Sequence, residues 1–304
     1  MLQEFRDAYL TNDLDLVKSL VQPELSVLNE LFREVCQNGH LDMAKYLYAN
    51  GANISDRNNF AFIAACAFGH ADIAQWLYSI SANNDALTNA VIDAFIHACY
   101  RGQFHIVKWL HGLGATITAK ENFAFVLACS NGHWEIAKYL YNWGANISDQ
   151  DNNAIQNACI NGHFEIMKWL HRLGVNARDK KVFLLACSEG GHLHIAQWLH
   201  MIGTDISDPE AFIDACVYDR IDIVKWLIDI HYKSSDFIQF DDYYDFKSEI
   251  KDLLIDNNLV HPRQLEGDDL TYYLVRTENL VPADFDYPGT TKRGQHTKSA
   301  LRNV

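Results

Sequence analysis

The chain has 304 residues, of which 49% are hydrophobic and 21% charged, and its formal net charge is −14. This composition supplies enough apolar surface for a sizeable core, whereas an acidic chain repels nucleic acid and anionic lipid unless a local basic patch opposes the average. No basic region followed by an apolar one opens the sequence, and no apolar stretch reaches about 18 residues. We therefore expect neither a signal peptide nor a membrane span.

A repeat with a period near 30 residues organises most of the chain. All seven cysteines fall at one phase of it, with spacings of 30, 33, 30, 30, 28 and 29 residues. They are Cys36, Cys66, Cys99, Cys129, Cys159, Cys187 and Cys216. In most units a Gly-His pair begins three residues after the cysteine, and an amphipathic run with a central Tyr or Trp follows. Self-similarity of this kind indicates small modules that bury their apolar faces only by stacking.

One unit, residues 123–147, shows the elements that the pattern predicts. The apolar, alanine-rich "FAFVLACS" predicts an inner helix, where small residues allow close approach, and "NGH" predicts a turn with a left-handed glycine. The run "WEIAKYLYNW" has apolar residues at helical spacing, so it predicts an outer helix that Gly144 ends. The polar "ANISDQDN" then predicts a loop, or finger, before the next inner helix.

The two ends of the array depart from the pattern. The first unit, "FRDAYLTNDLDLVKSL", keeps the shape but has Asn12-Asp13 in place of Gly-His, which is typical of an N-terminal cap. The last clear unit, "FIDACVYDRIDIVKWLIDI", has Asp219-Arg220 at that place. About eight units are therefore predicted, and we assign residues 1–230 to the array.

The repeat resembles the ankyrin repeat family. The resemblance is carried by Ala128-Cys129 before the turn, by the turn Asn131–His133, by "EIAKYL" in the outer helix and by "GANI" at 144–147. It implies an all-α solenoid of helix-turn-helix units that binds a partner protein on its concave side, through the fingers and the inner helices. Most units are shorter than the family's period of 33 and richer in aromatic residues. In this they resemble ankyrin proteins of giant viruses and of bacteria that live inside eukaryotic cells.

The C-terminal quarter follows a different pattern. Residues 231–246 are acidic and aromatic, residues 247–260 predict a helix, and residues 268–275 predict a short helix or strand. We interpret 231–287 as a cap that covers the last repeat, with a separate binding module as the alternative. Residues 288–304 carry four basic residues and no acid, and we interpret them as a flexible basic tail.

Cysteine and histidine are numerous enough to raise a metal or catalytic interpretation. Equivalent positions in stacked helices lie about 8–10 Å apart, too far for one zinc ion or for a disulfide. We therefore predict buried structural cysteines, which as free thiols imply a reducing compartment, and no metal or cofactor. The recurring turn histidine is predicted to bond backbone groups and to tie adjacent repeats. A second series, His111, His171 and His200, alternates with tyrosine and predicts an amphipathic packing position.

The sequence therefore favours a monomeric, cytoplasmic, non-catalytic scaffold that binds a protein, such as a viral or bacterial effector acting on a host protein. Nucleic acid, through the tail, is an alternative, as is an enzyme or adaptor acting through 231–287. The predicted partner-binding residues are variable and unlike a core, and exposed aromatic residues and Arg are the usual hot-spot types. Those assigned to the fingers are Arg57, Asn58, Lys120, Glu121, Gln150, Asp151, Arg178 and Lys180. Those assigned to the groove near the turns are Phe68, Tyr100, Arg101, Asn131, Glu189 and Tyr218.

Overall fold

The computed structural model describes residues 7–8, 11–19, 24–81, 86–207, 209–230 and 246–260. Across those residues the chain forms helices and connecting turns, with no strand. The all-α prediction is therefore confirmed. Most of the acidic and aromatic stretch 231–246, the segment 268–275 and the basic tail 288–304 lie outside the described residues.

The chain divides into two compact units, residues 1–176 and 177–304. The helices of the first unit are α1 Leu14–Ser19, α2 Leu25–Asn38, α3 Leu41–Ala49, α4 Asp56–Phe68, α5 Ala71–Ser81, α6 Ala86–Tyr100, α7 Phe104–Gly112, α8 Ala119–Ser130, α9 Trp134–Asn142, α10 Asp149–Ile160 and α11 Phe164–Arg172. Those of the second are α12 Lys180–Cys187, α13 Leu193–Met201, α14 Glu210–Val217, α15 Ile221–Ile230 and α16 Ser248–Asp256.

The helices pair into hairpins that stack within each unit. In the first unit the inner helices α2, α4, α6, α8 and α10 pack side by side in chain order, and each outer helix packs on the inner helix before it. In the second unit α12 packs on α14, and the outer helices α13 and α15 pack on these and on each other. Together with the degenerate first unit around α1, this confirms the predicted series of about eight helix-turn-helix units.

The core of each repeat is centred on its cysteine and on the residue four positions earlier. All seven cysteines are buried, and the earlier position holds an equally buried Phe32, Phe62, Phe95, Phe125, Ile155, Phe183 or Phe212. A spacing of four residues places both side chains on one face of the inner helix. The small cysteine leaves room for the neighbouring helix, and the large ring fills the space between repeats.

In the third and fifth repeats the turn histidine joins its repeat to the one before it. The ring Nε2 of His133 lies 2.8 Å from the carbonyl oxygen of Tyr100, and that of His70 lies 2.9 Å from the carbonyl oxygen of Gln37. Gly132 shows why the preceding residue is glycine. It has a φ of 75°, and a Cβ there would lie 2.6 Å from the ring of His163. The predicted role of the turn histidine is confirmed.

Asparagine side chains close the hairpins of the second and fifth repeats at the finger end. The Oδ1 of Asn122 accepts a 3.2 Å hydrogen bond from the backbone N–H of Asn146, and Asn29 accepts one of 2.8 Å from Asn53 in the same way. The Oδ1 of Asn146 then accepts from the N–H of Ser148 at 3.1 Å, which forms a turn. In these two repeats the bonds fix the finger to the start of the inner helix of the same repeat.

The helix α16 covers the last repeat, as predicted for a C-terminal helical cap. It packs on α15, and the apolar side chains of Ile250, Leu254 and Leu259 are completely buried. At its rim Lys225 and Glu249 form an ion pair of 3.0 Å. Among the described residues, no helix combines the length and apolar character needed to cross a bilayer.

Candidate interaction surface

The exposed side of the inner helices forms a surface that we call the inner-helix face. It consists of the positions six and two residues before the repeat cysteine and one and two residues after it. Most of these residues are exposed or half-buried, but Ala64 and Ala67 on α4 and Ser188 after α12 are buried. Spacings of four, three and one place these residues on one side of a helix. In the first unit the face spans α2, α4, α6, α8 and α10. In the second unit it spans α12 and α14.

Three of the predicted groove residues come together at the turn end of the face. The guanidinium carbon of Arg101, which follows α6, lies 4.1 Å from the ring centroid of Phe68 at the end of α4. Tyr100 is next to Arg101 in the chain, and its side chain is 44% exposed. The structure therefore places an exposed tyrosine beside a stacked Arg–Phe pair that joins the third and fourth repeats.

Asn131, the fourth predicted groove residue of the first unit, has a structural contact. Its Nδ2 donates a 2.8 Å hydrogen bond to the carbonyl oxygen of Leu127, so it satisfies a carbonyl in the last turn of α8. Asn161 does the same for Asn157 at 2.9 Å in the next repeat, and its Nδ2 also lies 3.2 Å from the Oγ of Ser130. Asn131 thus ends its helix and adds a half-buried amide to the face.

The predicted finger residues of the first unit lie where each inner helix begins. Arg57 and Asn58 are exposed and, with the buried Asn59, have left-handed backbone angles, with φ of 47°, 58° and 62°. Asn122 and Asn152 have φ of 58° and 64°, so they interrupt α8 and α10 after the first turn. The backbone of the remaining four candidates lies in those first turns, but their side chains lie outside the described part. These are Lys120, Glu121, Gln150 and Asp151.

The last four predicted partner-binding residues belong to the second unit and are exposed. They are Arg178, Lys180, Glu189 and Tyr218. Lys180 Nζ forms a 3.0 Å ion pair with Glu210, and both side chains are about half exposed, so the pair contributes little to stability. Tyr218 follows α14 beside Val217, and both side chains are exposed. Glu189 accepts a 2.9 Å hydrogen bond from Arg220 through its backbone carbonyl, which leaves its carboxylate at the surface. Arg178 lies in the loop before α12.

Two exposed phenylalanines were missed from the sequence. Phe60 on α4 and Phe123 on α8 are each 41% exposed and lie six residues before their cysteines. Each lies two residues before a second phenylalanine in the run "FAFI" or "FAFV". A helix cannot bury both residues of an i, i+2 pair on the same face, and the structure buries only Phe62 and Phe125. The fixed distance to the cysteine was the signal that identifies the exposed ring.

The cysteines lie in surroundings that suppress thiol chemistry. Burial raises the pKa of the Cys159 thiol to about 12, and it raises the pKa of Cys36, Cys66, Cys99, Cys129 and Cys216 further. A thiolate is therefore strongly disfavoured at these sites. Within the described ranges, no group of three or more His, Cys, Asp or Glu side chains is placed to hold a metal ion.

Aromatic residues of the outer helices form a second regular series. Trp76 packs edge-on against Tyr48 with ring centroids 5.8 Å apart, and Trp169 packs in the same way against Tyr141 at 5.7 Å. His200 occupies the tyrosine position against Trp226, with ring centroids 5.9 Å apart. The predicted interchange of His and Tyr at a packing position is confirmed here, so these rings serve the stacking of repeats.

Comparison with known proteins agrees with this geometry. A family model described as "Ankyrin repeats (3 copies)" matches residues 6–89 and residues 95–181, which together are more than half of the chain. No curated protein matches the sequence.

Proposed function

Because the chain belongs to the ankyrin repeat family, we propose that it is a non-catalytic scaffold that binds a partner protein through the inner-helix face and the fingers. Ankyrin repeats are general protein–protein interaction modules and are typically not catalytic. The residues that recur from repeat to repeat in this chain pack or hydrogen-bond between neighbouring repeats. Recognition is therefore left to the residues that do not repeat.

The exposed cluster of Phe68, Tyr100 and Arg101 is the observation that carries this proposal. Hot spots of protein interfaces are enriched in aromatic residues and Arg, which offer large contact areas at a small entropic cost. Arg101 is already held over Phe68, so part of the ordering cost is met before a partner arrives. The neighbouring repeats keep small or polar residues at these positions, which makes the cluster individual to the third and fourth repeats.

We further propose that the protein acts as a monomer in a eukaryotic cytosol, and that its partner is a cellular protein of a host. Seven buried free cysteines are compatible with a reducing compartment. The short, aromatic-rich repeats support a viral or bacterial effector, since they resemble the ankyrin repeats of such agents. For residues 246–260, the burial of Ile250 and Leu254 against the last repeat favours a cap over an active segment.

The test is an affinity pull-down from cell lysate with three full-length proteins. The first is the wild type, and the second is the triple variant Phe68→Ala, Tyr100→Ala, Arg101→Ala. The third is a matched control, Tyr48→Ala, Trp143→Ala, Arg172→Ala, which removes two exposed aromatic residues and one arginine at or just after the ends of outer helices. Circular dichroism establishes that each is folded.

We expect the groove variant to lose the partners that the wild type captures and the control to keep them. A folded groove variant that retains every partner would show that the face is assigned wrongly. Loss of partners from the control alone would place the binding surface on the outer helices.

A further inference from the structure

We propose that the fifth and sixth repeats bind an extended, uncharged segment of the partner protein. Backbone N–H groups of this segment donate hydrogen bonds to the side-chain oxygens of Asn157 and Asn161 at the end of α10. Its apolar side chains lie against Phe123 and Leu127 on α8. This inference rests on the proposed function, because it names the chemistry of the partner segment for part of the same face.

The inner-helix face has no charged residue in these two repeats. Its eight positions hold three apolar and five uncharged polar residues, all of them exposed or half-buried. They are Phe123, Leu127, Ser130 and Asn131 in the fifth repeat and Asn153, Asn157, Ile160 and Asn161 in the sixth. The second, fourth, seventh and eighth repeats each have charged residues at the same positions. An ion-pairing partner or the phosphate backbone of a nucleic acid therefore finds no opposite charge at these eight positions.

Three asparagines of this surface have amides of fixed orientation. The Nδ2 of Asn131 donates a 2.8 Å hydrogen bond to the carbonyl oxygen of Leu127. The Nδ2 of Asn157 donates one of 3.0 Å to Asn153, and that of Asn161 donates one of 2.9 Å to Asn157. A carbonyl oxygen can only accept, so the nitrogen of each amide faces the helix backbone and the oxygen is turned away from it. Among the described residues, no group donates to these three Oδ1 atoms.

The surface therefore asks its partner for hydrogen-bond donors. An amide oxygen that loses water on binding and gains no donor opposes association. Lysine and arginine are donors, but their charge would be buried here without a counter-charge from these positions. Backbone N–H groups are neutral donors that recur at a fixed spacing along a polypeptide. They are the donors that an uncharged surface of acceptors suits best.

The spacing of the acceptors agrees with an extended chain. Asn157 and Asn161 are four residues apart on one helix, which separates them by about 6 Å along the axis. In an extended segment, alternate N–H groups point to the same side and repeat every 6.7 Å or about that distance. A helical segment would offer few donors, because its N–H groups are bonded internally beyond the first turn.

The apolar residues of α8 have the same spacing as the amides of α10. Phe123, 41% exposed, and the half-buried Leu127 are also one turn apart, and α8 packs beside α10. Alternate side chains of an extended segment point to one face, so two of them can contact Phe123 and Leu127 while the backbone bonds the amides. A segment lying along the two helices thus satisfies both sets of contacts.

The uncharged surface continues the exposed cluster of the third and fourth repeats. Asn131 occupies the position of Arg101 one repeat later, and α8 packs beside α6. The Nδ2 of Asn161 lies 3.2 Å from the Oγ of Ser130, which brings the ends of α8 and α10 together. A partner anchored on the cluster therefore extends directly onto the amides.

The experiment begins with a display library of random 12-residue peptides selected on the full-length protein. The most enriched peptide is synthesised with a fluorophore and titrated by anisotropy against the wild type and two variants. These are the double variant Asn157→Ala, Asn161→Ala and the single variant Phe123→Ala. Each titration is repeated at low and high salt concentration.

A matched control removes the same local hydrogen bond away from the face. The Nδ2 of Asn50 donates a 2.7 Å bond to the carbonyl oxygen of Tyr46 at the end of α3, and that of Asn257 donates one of 2.8 Å to Leu253 at the end of α16. The control is the double variant Asn50→Ala, Asn257→Ala. It loses two helix-end amides, as the test variant does, but keeps the inner-helix face.

Backbone recognition is tested by methylating the peptide nitrogens one at a time. Each N-methyl group removes a single N–H donor and leaves the side chains unchanged. Every methylated peptide is titrated against the wild type and against Asn157→Ala, Asn161→Ala. The second series separates the lost hydrogen bond from any effect of the methyl group on the conformation of the peptide.

We expect the enriched peptides to be uncharged and rich in apolar residues, with little dependence on salt. Asn157→Ala, Asn161→Ala and Phe123→Ala should each weaken binding about tenfold, and the control should bind as the wild type does. Methylation at two alternate positions should weaken binding about tenfold, while methylation between them should weaken it much less. This alternation should disappear in the asparagine variant.

Three results would overturn the extended, uncharged segment and leave the proposed function intact. The first is enrichment of charged peptides whose binding weakens strongly with salt. The second is a methylation profile without alternation. The third is binding that requires the Phe68, Tyr100 and Arg101 cluster but is unchanged by Asn157→Ala, Asn161→Ala.

Two further results bear on the occupant of the face. Sedimentation that shows a dimer dissociated by Asn157→Ala, Asn161→Ala would assign the surface to a second copy and overturn the proposal of a foreign segment, whereas a monomer supports it. Peptides that bind every variant of the inner-helix face as tightly as the wild type, including Phe68→Ala, Tyr100→Ala, Arg101→Ala, would contradict both this inference and the proposed function.

Discussion

The Nε of Arg220 donates a hydrogen bond of 2.8 Å to the carbonyl oxygen of Ser188, and its Nη2 donates one of 2.9 Å to the carbonyl oxygen of Glu189. In the eighth repeat this arginine stands where most other repeats have the turn histidine. The position thus requires a donor that reaches the preceding turn, and a guanidinium reaches two carbonyls where an imidazole reaches one. In the fourth repeat, which has Gln103 at this place, the Nε2 of His105 lies 3.3 Å from the carbonyl oxygen of Gly69 instead.

Replacing Arg220 should therefore weaken the joint between the last two repeats. We expect Arg220→Ala to lower the free energy of unfolding by about 1–3 kcal/mol, because it leaves the partly buried carbonyl of Ser188 without its donor and also removes the bond to the exposed carbonyl of Glu189. Arg220→His should lose less, since a histidine at this position bonds one carbonyl in other repeats. Urea denaturation followed by circular dichroism measures both. Equal losses in the two variants would mean that the packing of the arginine, rather than its hydrogen bonds, stabilises the joint.

Alanine substitutions at two glycines distinguish two contributions to the free energy of unfolding, one from the left-handed backbone and one from contact with the next repeat. Gly132 and Gly144 both have left-handed backbones, with φ of 75° and 99°, but a Cβ on Gly132 would meet the His163 ring, whereas a Cβ on Gly144 would meet nothing within 4 Å. We expect Gly144→Ala to cost about 1 kcal/mol, from the left-handed backbone alone. Gly132→Ala should cost about 1–3 kcal/mol more, because the histidine must move.

The difference between these two variants, measured by urea denaturation, isolates the steric contact. Gly132→Ala combined with His163→Ala should recover part of the difference, since the ring that blocks the Cβ is then absent. Equal destabilisation by Gly132→Ala and Gly144→Ala would show that the turn can shift without loss of stability.

The cysteines give a kinetic prediction. Because the seven thiols are buried and burial raises the pKa of those discussed above, none should react rapidly with a thiol reagent in the native protein. With a disulfide reagent such as Ellman's, we expect slow reaction in native buffer and release of seven equivalents within seconds in urea. A thiol that reacts rapidly in native buffer would show that its repeat opens locally. The stopped reaction, digested and analysed by mass spectrometry, would identify that repeat.

The repeat period and the buried cysteines could be predicted because they recur. Any position that stacking requires appears in almost every unit, so comparing units within one sequence reveals it. The turn histidine was identified in this way. Its bond to the preceding repeat is seen between the Nε2 of His133 and the carbonyl oxygen of Tyr100.

Features that occur once or twice could not be predicted so well. Phe60 and Phe62 have the same side chain, and only the helical phase relative to Cys66 shows that the first is exposed and the second buried. The left-handed backbone of Asn59 recurs at Asn122 and Asn152, each seven residues before its cysteine, but that of Arg57 and Asn58 has no counterpart in those two repeats. Arg101 and Phe68 lie 33 positions apart in the sequence. Their contact can be recognised only when the two repeats are stacked in the fold.

A carboxylate on the inner-helix face of the second unit gives a prediction on pH. Asp214 on α14 has a raised pKa, first because burial disfavours its charged form and second because Glu210 lies one turn earlier. A carboxyl whose pKa is higher in the folded than in the unfolded chain binds more protons when folded. Its contribution to stability is therefore most favourable at acid pH and decreases as pH rises through the interval between the two pKa values.

We expect Asp214→Asn to increase the free energy of unfolding at pH 7 by about 0.2–0.5 kcal/mol, the usual cost of like charges one turn apart. The gain should vanish near pH 3, where the carboxyl is protonated in both the folded and the unfolded chain. Thermal unfolding of the wild type and the variant from pH 3 to pH 8 measures the difference. Asp252→Asn on the exposed side of α16 is the control for removing a charge, and we expect a pH dependence like that of the wild type. A gain for Asp214→Asn that is largest at acid pH would contradict the assignment, because it would require a pKa lowered by folding.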